Sequence, residues 1–231
     1  MIKLKDIFKL SLGTPENILC HQKPRAYQLE DLALLLSWKR GANFSEVGTG
    51  KSLTSYLYLM HKLLQGKKAV VVMPPPLIPQ YKGEFLRVIT GHDFTFKFLN
   101  QSKSLREGYL NSLTPQGSPS IIFCSYQIFV KVYAQLAKLG YEVLVCDEAQ
   151  AIKSIKTGAF KAVDLFLQKT GADFLEMTAT PVTSELQDAY AHMRLISPEI
   201  YPTLKYFDRV HTIIEKVTLP RACSGRYVTF N

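Results

Sequence analysis

Apolar runs rich in β-branched residues alternate along the chain with stretches whose apolar positions recur at helical spacing. The apolar runs predict strands, mostly buried on both faces, over residues 68–74, 94–99, 120–126, 141–148 and 173–181. The periodic stretches predict helices over residues 25–40, 51–66, 76–89, 126–140, 157–171 and 183–196. This order predicts an α/β fold with a doubly wound, mostly parallel sheet and helices on both of its faces.

The alternation fades after Pro198, in a stretch that has three prolines from that residue onward and no clear strand and helix pair. We therefore predict one α/β domain over residues 1–200. Residues 201–231 are predicted to be an appendage or the start of a linker.

The composition is that of an ordinary globular protein, with 231 residues of which 47% are hydrophobic and 20% charged. The formal net charge of +9 favours a polyanion as partner, because neutralised phosphates release counterions. A basic surface without such a partner is the alternative.

The four cysteines lie far apart and form no Cys-x-x-Cys pair, which favours buried, reduced thiols over metal ligands. The first thirteen residues mix lysines with apolar residues, unlike a signal peptide. No run approaches the ~18 apolar residues of a membrane span. We expect a cytoplasmic or nucleoid-associated protein that is not secreted and has no membrane partner.

Candidate chemistry begins at the stretch FSEVGTGKS, residues 44–52. A short apolar segment precedes it and a predicted helix follows Lys51, so successive backbone N–H groups and a helix N-terminus would surround a phosphate. Ser45 stands where the simple phosphate-loop pattern has its first glycine. Because Gly-Lys-Ser also occurs by chance, the motif alone leaves a nucleotide site and an accident of composition both open.

Two adjacent carboxylates, Asp147 and Glu148, follow the buried strand EVLVC. Such a pair can divide two roles, Asp147 holding a magnesium ion and Glu148 activating the attacking water. The alternative is an N-cap pair for the next helix. With a phosphate loop upstream, the catalytic interpretation is favoured.

Three stretches, EVGTGKS (46–52), DEAQ (147–150) and TATP (178–181), resemble in this order motifs I, II and III of superfamily 2 helicases and translocases. PRAYQ (24–28), VVMPPPLIPQYKGEF (71–85), IFCSYQ (122–127) and DEAQAIKS (147–154) further resemble the Q motif, motifs Ia and Ib and the acidic box of the Swi/Snf-like branch. In that branch the first position of motif I is commonly acidic, so Ser45 is no obstacle. The resemblance covers about residues 20–200 and implies a RecA-like P-loop NTPase domain, the first lobe of a two-lobed motor.

The resemblance also implies a set of functional residues for ATP and Mg²⁺. Gln28 would bond the adenine edge with Arg25 nearby, whereas an exposed helix residue is the alternative for Gln28. Catalysis would involve Glu148, Asp147, Lys51 and Gln150, and Mg²⁺ would be held by Ser52 and Asp147, partly through water. The nucleotide-binding loop would comprise Glu46, Val47, Gly48, Thr49, Gly50, Lys51 and Ser52.

A nucleic-acid surface and a coupling element are implied in the same way. Thr178 and Thr180, with Gln150, would link the ATP state to the polynucleotide, although TATP could merely close a strand. Motifs Ia and Ib offer four candidate polar contacts to the nucleic-acid backbone. These are Gln80, Lys82, Ser125 and Gln127.

The family also has a second RecA-like lobe, which supplies an arginine to the transferred phosphate. We expect such a lobe in cis or in trans, because about 30 residues after position 200 are too few for another parallel sheet. Two functions stay open at this point. One is a DNA-dependent ATPase acting on duplex DNA, and the other a nucleotide-dependent binding module without significant turnover.

Overall fold

The computed structural model describes residues 2–8, 17–182 and 186–211. The strands of this part are, in chain order, β1 (Ile2–Lys3), β2 (Leu19–Cys20), β3 (Arg40–Asn43), β4 (Lys68–Val72), β5 (Ile89–Thr90), β6 (Phe96–Phe98), β7 (Ile121–Cys124), β8 (Tyr141–Asp147) and β9 (Asp173–Met177). The helices are α1 (Leu4–Phe8), α2 (Ala26–Ser37), α3 (Lys51–Leu64), α4 (Leu77–Val88), α5 (Lys103–Ser112), α6 (Tyr126–Lys138), α7 (Gly158–Thr170), α8 (Leu186–Ile196) and α9 (Leu204–His211).

Six strands form one parallel sheet in the order β3-β9-β8-β4-β7-β6. Its central strands are buried on both faces, because alternate side chains enter two separate cores. Val71 and Leu175 pack in the core beneath α2, α3 and α4, whereas Val70 and Phe174 pack in the core beneath α6 and α7. The predicted doubly wound arrangement with helices on both faces is confirmed.

The five predicted strands and six predicted helices are present with shorter bounds, but four features were not foreseen. The helix predicted over residues 25–40 ends at Ser37, because residues 40–43 pair with β9 as an edge strand of the sheet. Helix α5 buries only Arg106 and Leu110, and α9 buries only Phe207, so their apolar patterns were weak. Strands β1, β2 and β5 form a small antiparallel sheet whose two-residue strands carry no periodic signal.

Cys20, Cys124 and Cys146 are buried free thiols, as predicted, while Cys223 lies outside the described residues. Beyond residue 200, Phe207 of α9 packs against the rings of Tyr190 and Tyr201 at centroid distances of 5.5 and 5.6 Å. Within the described ranges, no helix has the length and apolar character needed to cross a membrane.

Candidate active site

The phosphate loop lies between the end of β3 and the start of α3, at the carboxyl edge of the parallel sheet. Gly48 and Gly50 have φ angles of 83° and 81°, the left-handed region that glycine adopts without strain. At Gly50 a Cβ atom would also lie 2.5 Å from Nε2 of Gln28. Because Glu46, Val47 and Gly48 are exposed, this loop and the first turn of α3 can present backbone N–H groups to an anion.

The Lys51 side chain folds back across this loop. Its Nζ donates to the carbonyl oxygens of Ser45 and Glu46 at 2.6 and 2.9 Å. An ammonium group has three donors, so one remains for a phosphate oxygen. Ser52, the next residue, is exposed in the first turn of α3, where its hydroxyl can reach a metal ion beside the loop.

Asp147 ends β8, two strands away from the phosphate loop in the sheet order. Its pKa is raised from 3.8 to about 6, chiefly because the carboxyl group is buried. The charge of Glu148 also raises this pKa, while the Glu148 backbone N–H and the charge of Lys51 lower it. The Tyr126 hydroxyl donates to the Asp147 carbonyl oxygen at 2.9 Å and so fixes the end of the strand. The interaction with Lys51 indicates that the aspartate and the loop lysine share one site.

Glu148 has a φ of 49°, the only positive value for a non-glycine residue in the described part of the chain. Such strain concentrates at functional sites. A short 3-10 turn, Ala149–Ile152, follows, and the Glu148 side chain makes no capping hydrogen bond to it. The N-cap alternative for this carboxylate is therefore not supported.

Motifs II and III are joined by a direct hydrogen bond. The Thr178 hydroxyl donates to Oε1 of Gln150 at 3.0 Å and accepts from the Thr180 backbone N–H at 3.0 Å. The Thr178 N–H donates to the carbonyl oxygen of Asn43 at 3.3 Å, just before the phosphate loop. Thr178 is buried and Thr180 is exposed, so one buried threonine connects motifs II and III through its hydroxyl, and the strand before the phosphate loop through its backbone N–H.

Gln28 is buried, and its side-chain bonds lead to the phosphate loop. Its Nε2 donates to the carbonyl oxygens of Thr49 and Gly50 at 3.1 Å each, and its Oε1 accepts from the Arg25 backbone N–H at 2.9 Å. The exposed-residue alternative is thus wrong. These contacts hold the loop, and a bond from Gln28 to an adenine edge stays a prediction.

Tyr27 is a loop contact that sequence reasoning missed. Its hydroxyl donates to the Thr49 carbonyl oxygen at 2.7 Å and accepts from Nη1 of Arg25 at 3.2 Å. It stands within the PRAYQ stretch, next to Gln28, but an exposed tyrosine carries no periodic signal. Together Arg25, Tyr27 and Gln28 brace the loop from the start of α2.

The four candidate nucleic-acid contacts occupy different environments at the same carboxyl edge. Gln80 and Gln127 are exposed on α4 and α6. Ser125 is buried and caps α6 by accepting from the Ile128 N–H at 3.2 Å, and Nζ of Lys82 lies 5.7 Å from the centre of the Phe96 ring. Gln80 and Gln127 are therefore the freer candidates, and the nucleic-acid role of all four stays a prediction.

A metal ion fits this donor set only if ligands from a nucleotide and water complete it. Among the described residues no group of three or more His, Cys, Asp or Glu side chains could hold a metal alone. Magnesium typically uses one or two protein oxygens together with phosphate and water oxygens. Ser52 and Asp147 match that requirement.

We expect Asp147→Asn to stabilise the ligand-free protein at neutral pH while weakening magnesium-dependent ATP binding. The raised pKa corresponds to about 3 kcal/mol as an upper bound, and Asn keeps an oxygen that can accept from the Glu148 N–H. A group whose folded-state pKa is raised contributes stability that is fully present below the unfolded value of 3.8 and is lost as the pH rises through about 6. Thermal melts should thus show little difference at pH 4 and the largest difference above pH 6.

The exposed Glu30→Gln substitution on α2 is the matched control and should leave the pH profile of the melting temperature unchanged. Equal stabilities of Asp147→Asn and the wild type at pH 7 would contradict burial of an ionised Asp147.

The chain is similar to known proteins over most of its length. Residues 27–221 match the family described as SNF2-related domain. The chain is 24% identical to the ISWI chromatin-remodeling complex ATPase ISW2 of Saccharomyces cerevisiae, over 80% of this chain and 17% of that protein. It is 22% identical to the human DNA repair and recombination protein RAD54B, over 78% of this chain and 20% of that protein. It therefore spans about a fifth of the length of these relatives.

The fold is also shared with a solved structure, the Sulfolobus solfataricus SWI2/SNF2 ATPase core in complex with dsDNA. The TM-score is 0.66 at 19% identity, and the match covers 86% of this chain and 41% of that one. The prediction of a RecA-like α/β lobe is thereby confirmed. Since the family match extends over most of the residues, the chain belongs to the SNF2-related domain family.

Proposed function

We propose that this chain is the ATP-binding lobe of a DNA-dependent ATPase that moves on or remodels duplex DNA. The observation that carries the proposal is the convergence of three elements at one edge of the sheet. Lys51 lies across the phosphate loop, its charge acts on Asp147, and Thr178 joins Gln150 to the strand that leads into the loop. A nucleotide site that is linked to motif III explains all three contacts.

The residues take separate roles in hydrolysis. The backbone of Gly48 to Ser52 and the Lys51 ammonium hold the phosphates, and Ser52 and Asp147 hold magnesium. Held there, magnesium would supply positive charge against the negative charge that develops during phosphoryl transfer. Glu148 orients the attacking water and accepts its proton. Gln150 and Thr178 respond to the phosphate state and pass it to the loops that touch DNA.

Duplex DNA as partner is supported by three independent facts. The chain has a formal net charge of +9. The relatives named above include a DNA repair protein and a chromatin-remodeling ATPase, and the solved neighbour is bound to dsDNA. Exposed Gln80 and Gln127 stand at the edge where the phosphate loop lies. We infer that the protein translocates along duplex DNA rather than separating its strands. We also infer that it acts in the cytoplasm or on the nucleoid.

A second RecA-like lobe, in cis or in trans, completes this proposal. The solved neighbour is longer, since the match covers 41% of it. An arginine from such a lobe can contribute ~10³-fold or more to the rate of phosphoryl transfer. The lobe described here would bind Mg-ATP by itself but turn it over slowly.

We expect the 231-residue chain to hydrolyse ATP very slowly, and its rate of hydrolysis at saturating ATP to change little when saturating duplex DNA is added. In this proposal the second lobe supplies the transferring arginine and part of the contacts to the DNA backbone. The duplex binding of the 231-residue chain should weaken steeply with added salt, as counterion release requires. A steady-state ATPase assay of the purified chain, with and without duplex, checks this.

Fast turnover that duplex DNA stimulates, and that Lys51→Ala abolishes, would contradict the need for a second lobe. Absence of ATP binding would instead contradict the nucleotide site.

A further inference from the structure

Polar side chains tie the phosphate-loop helix α3 to the neighbouring helix α4. The hydroxyl groups of Ser55 and Tyr81 are hydrogen-bonded inside the protein. One residue along, the Tyr56 hydroxyl donates to Oε2 of Glu84 at 3.1 Å. Tyr56 is only 2% exposed, and its ring packs edge-on against Tyr81 at a centroid distance of 4.8 Å. The Tyr56 hydroxyl therefore has a fixed direction.

The other oxygen of the same carboxylate holds Gln80. Nε2 of Gln80 donates to Oε1 of Glu84 at 3.1 Å, one helical turn apart on α4. An amide nitrogen has two N–H donors, so the second one remains for a phosphate of bound DNA. Glu84 thus bridges a buried hydroxyl on α3 and an exposed amide on α4.

Ser52 stands one helical turn before Tyr56 on α3, so the two side chains lie on the same face of the helix. Burial raises the pKa of Tyr56, the charge and hydrogen bond of Glu84 raise it further, and an interaction with the nearby Ser52 hydroxyl lowers it. A serine hydroxyl that ligates a metal uses its oxygen lone pair and must donate its hydrogen elsewhere. Tyr56 can accept that hydrogen because its own hydrogen goes to Glu84. The direction of donation is then Ser52 to Tyr56 to Glu84, with Gln80 donating to the same carboxylate.

We propose that Tyr56 and Glu84 are positioning residues that connect the metal-ligating hydroxyl of Ser52 with Gln80 on the nucleic-acid side. Mg-ATP and duplex DNA then strengthen each other's binding within this one lobe, before a second lobe takes part. The proposal rests on the function proposed above. Because coupling between sites is reciprocal, it is measurable from the nucleotide side alone.

The test measures the affinity of the 231-residue chain for Mg-ATP by calorimetry at low salt, with and without saturating duplex DNA. We expect the duplex to raise the affinity of the wild type by about fivefold or more, the lower range of typical coupling. Tyr56→Phe keeps the ring but removes the hydroxyl, and should reduce this gain to within about twofold of none. Glu84→Gln, which keeps one acceptor oxygen, should give an intermediate gain.

Tyr58→Phe is the matched control, because Tyr58 is a buried tyrosine of α3 whose hydroxyl has no hydrogen-bond partner among the described residues. It should keep the wild-type gain. The double variant Tyr56→Phe/Glu84→Gln should behave like Tyr56→Phe alone, as expected for two members of one chain of contacts.

The outcomes separate the coupling from the nucleotide site. A wild type that binds Mg-ATP but gains nothing from duplex would overturn the coupling and leave the nucleotide site intact. A lower melting temperature of Tyr56→Phe with an undiminished gain would likewise overturn it, since the hydroxyl would then only stabilise the fold. A wild type that does not bind Mg-ATP would overturn the proposed function itself.

Discussion

With a second RecA-like lobe supplied in cis or in trans, Glu148→Gln should retain ATP but lower the rate of hydrolysis by about 10² to 10⁴-fold, the contribution typical of a general base. Glutamine keeps the shape and hydrogen-bonding capacity of the side chain but cannot accept a proton from water. The backbone at this position is strained, with a φ of 49°, and the side chain makes no capping hydrogen bond to the turn that follows. Single-turnover hydrolysis with the protein in excess over labelled ATP is the measurement.

The control for this substitution is Glu142→Gln, an exposed glutamate near the start of the same strand, β8. It should hydrolyse ATP at the wild-type rate. Unchanged hydrolysis by Glu148→Gln would show that another group activates the water.

The second large effect concerns a buried pair of polar side chains, His192 and Glu176, which contact each other directly. Nδ1 of His192 on α8 lies 3.0 Å from Oε2 of Glu176 on β9, and both side chains are 0% exposed. Oε1 of Glu176 and Nε2 of His192 have no hydrogen-bond partner within the described ranges. Breaking one partner of a buried pair costs about 3 to 5 kcal/mol, because the other polar group stays buried and unpaired. His192→Leu should lose stability by this amount in urea denaturation.

Replacing both partners removes the buried polar groups together. The stability of Glu176→Leu/His192→Leu should therefore return to within about 1 kcal/mol of the wild type or exceed it. The edge-on contact between Phe44 and residue 192 would then be purely apolar. Two single losses that simply add in the double variant would contradict the pairing.

The elements that were predicted well from the sequence are those in which many residues are buried, because burial requires a recognisable run of apolar residues. Strand β4 is buried over Ala69–Val72, and α3 buries every residue from Leu53 to Met60. Helix α5 and the strands of the small antiparallel sheet bury few residues each. Their sequences therefore contain little apolar periodicity. The end of α2 depends on pairing of β3 with β9, over 130 residues later in the chain.

The candidate site divides in the same way. The positions of Lys51, Asp147 and Glu148 in the fold were predictable, because each stands next to a glycine-rich turn or at the end of a buried strand. The bracing role of Gln28 and the bridge from Tyr56 to Glu84 were not, because both depend on the angle at which helices pack. The Ser125 hydroxyl is engaged as a helix cap, which no local pattern separated from a nucleic-acid contact.

The central claim is that the loop between β3 and α3 binds ATP, and calorimetric titration of Mg-ATP into three proteins tests it most directly. The proteins are the wild type, Lys51→Ala and Lys138→Ala, an exposed lysine in the last turn of α6. We predict that Lys51→Ala weakens binding by about tenfold or more, the loss expected for a charge-assisted phosphate contact, and that Lys138→Ala binds like the wild type. Equal affinity of Lys51→Ala and the wild type would contradict the assignment of the nucleotide site.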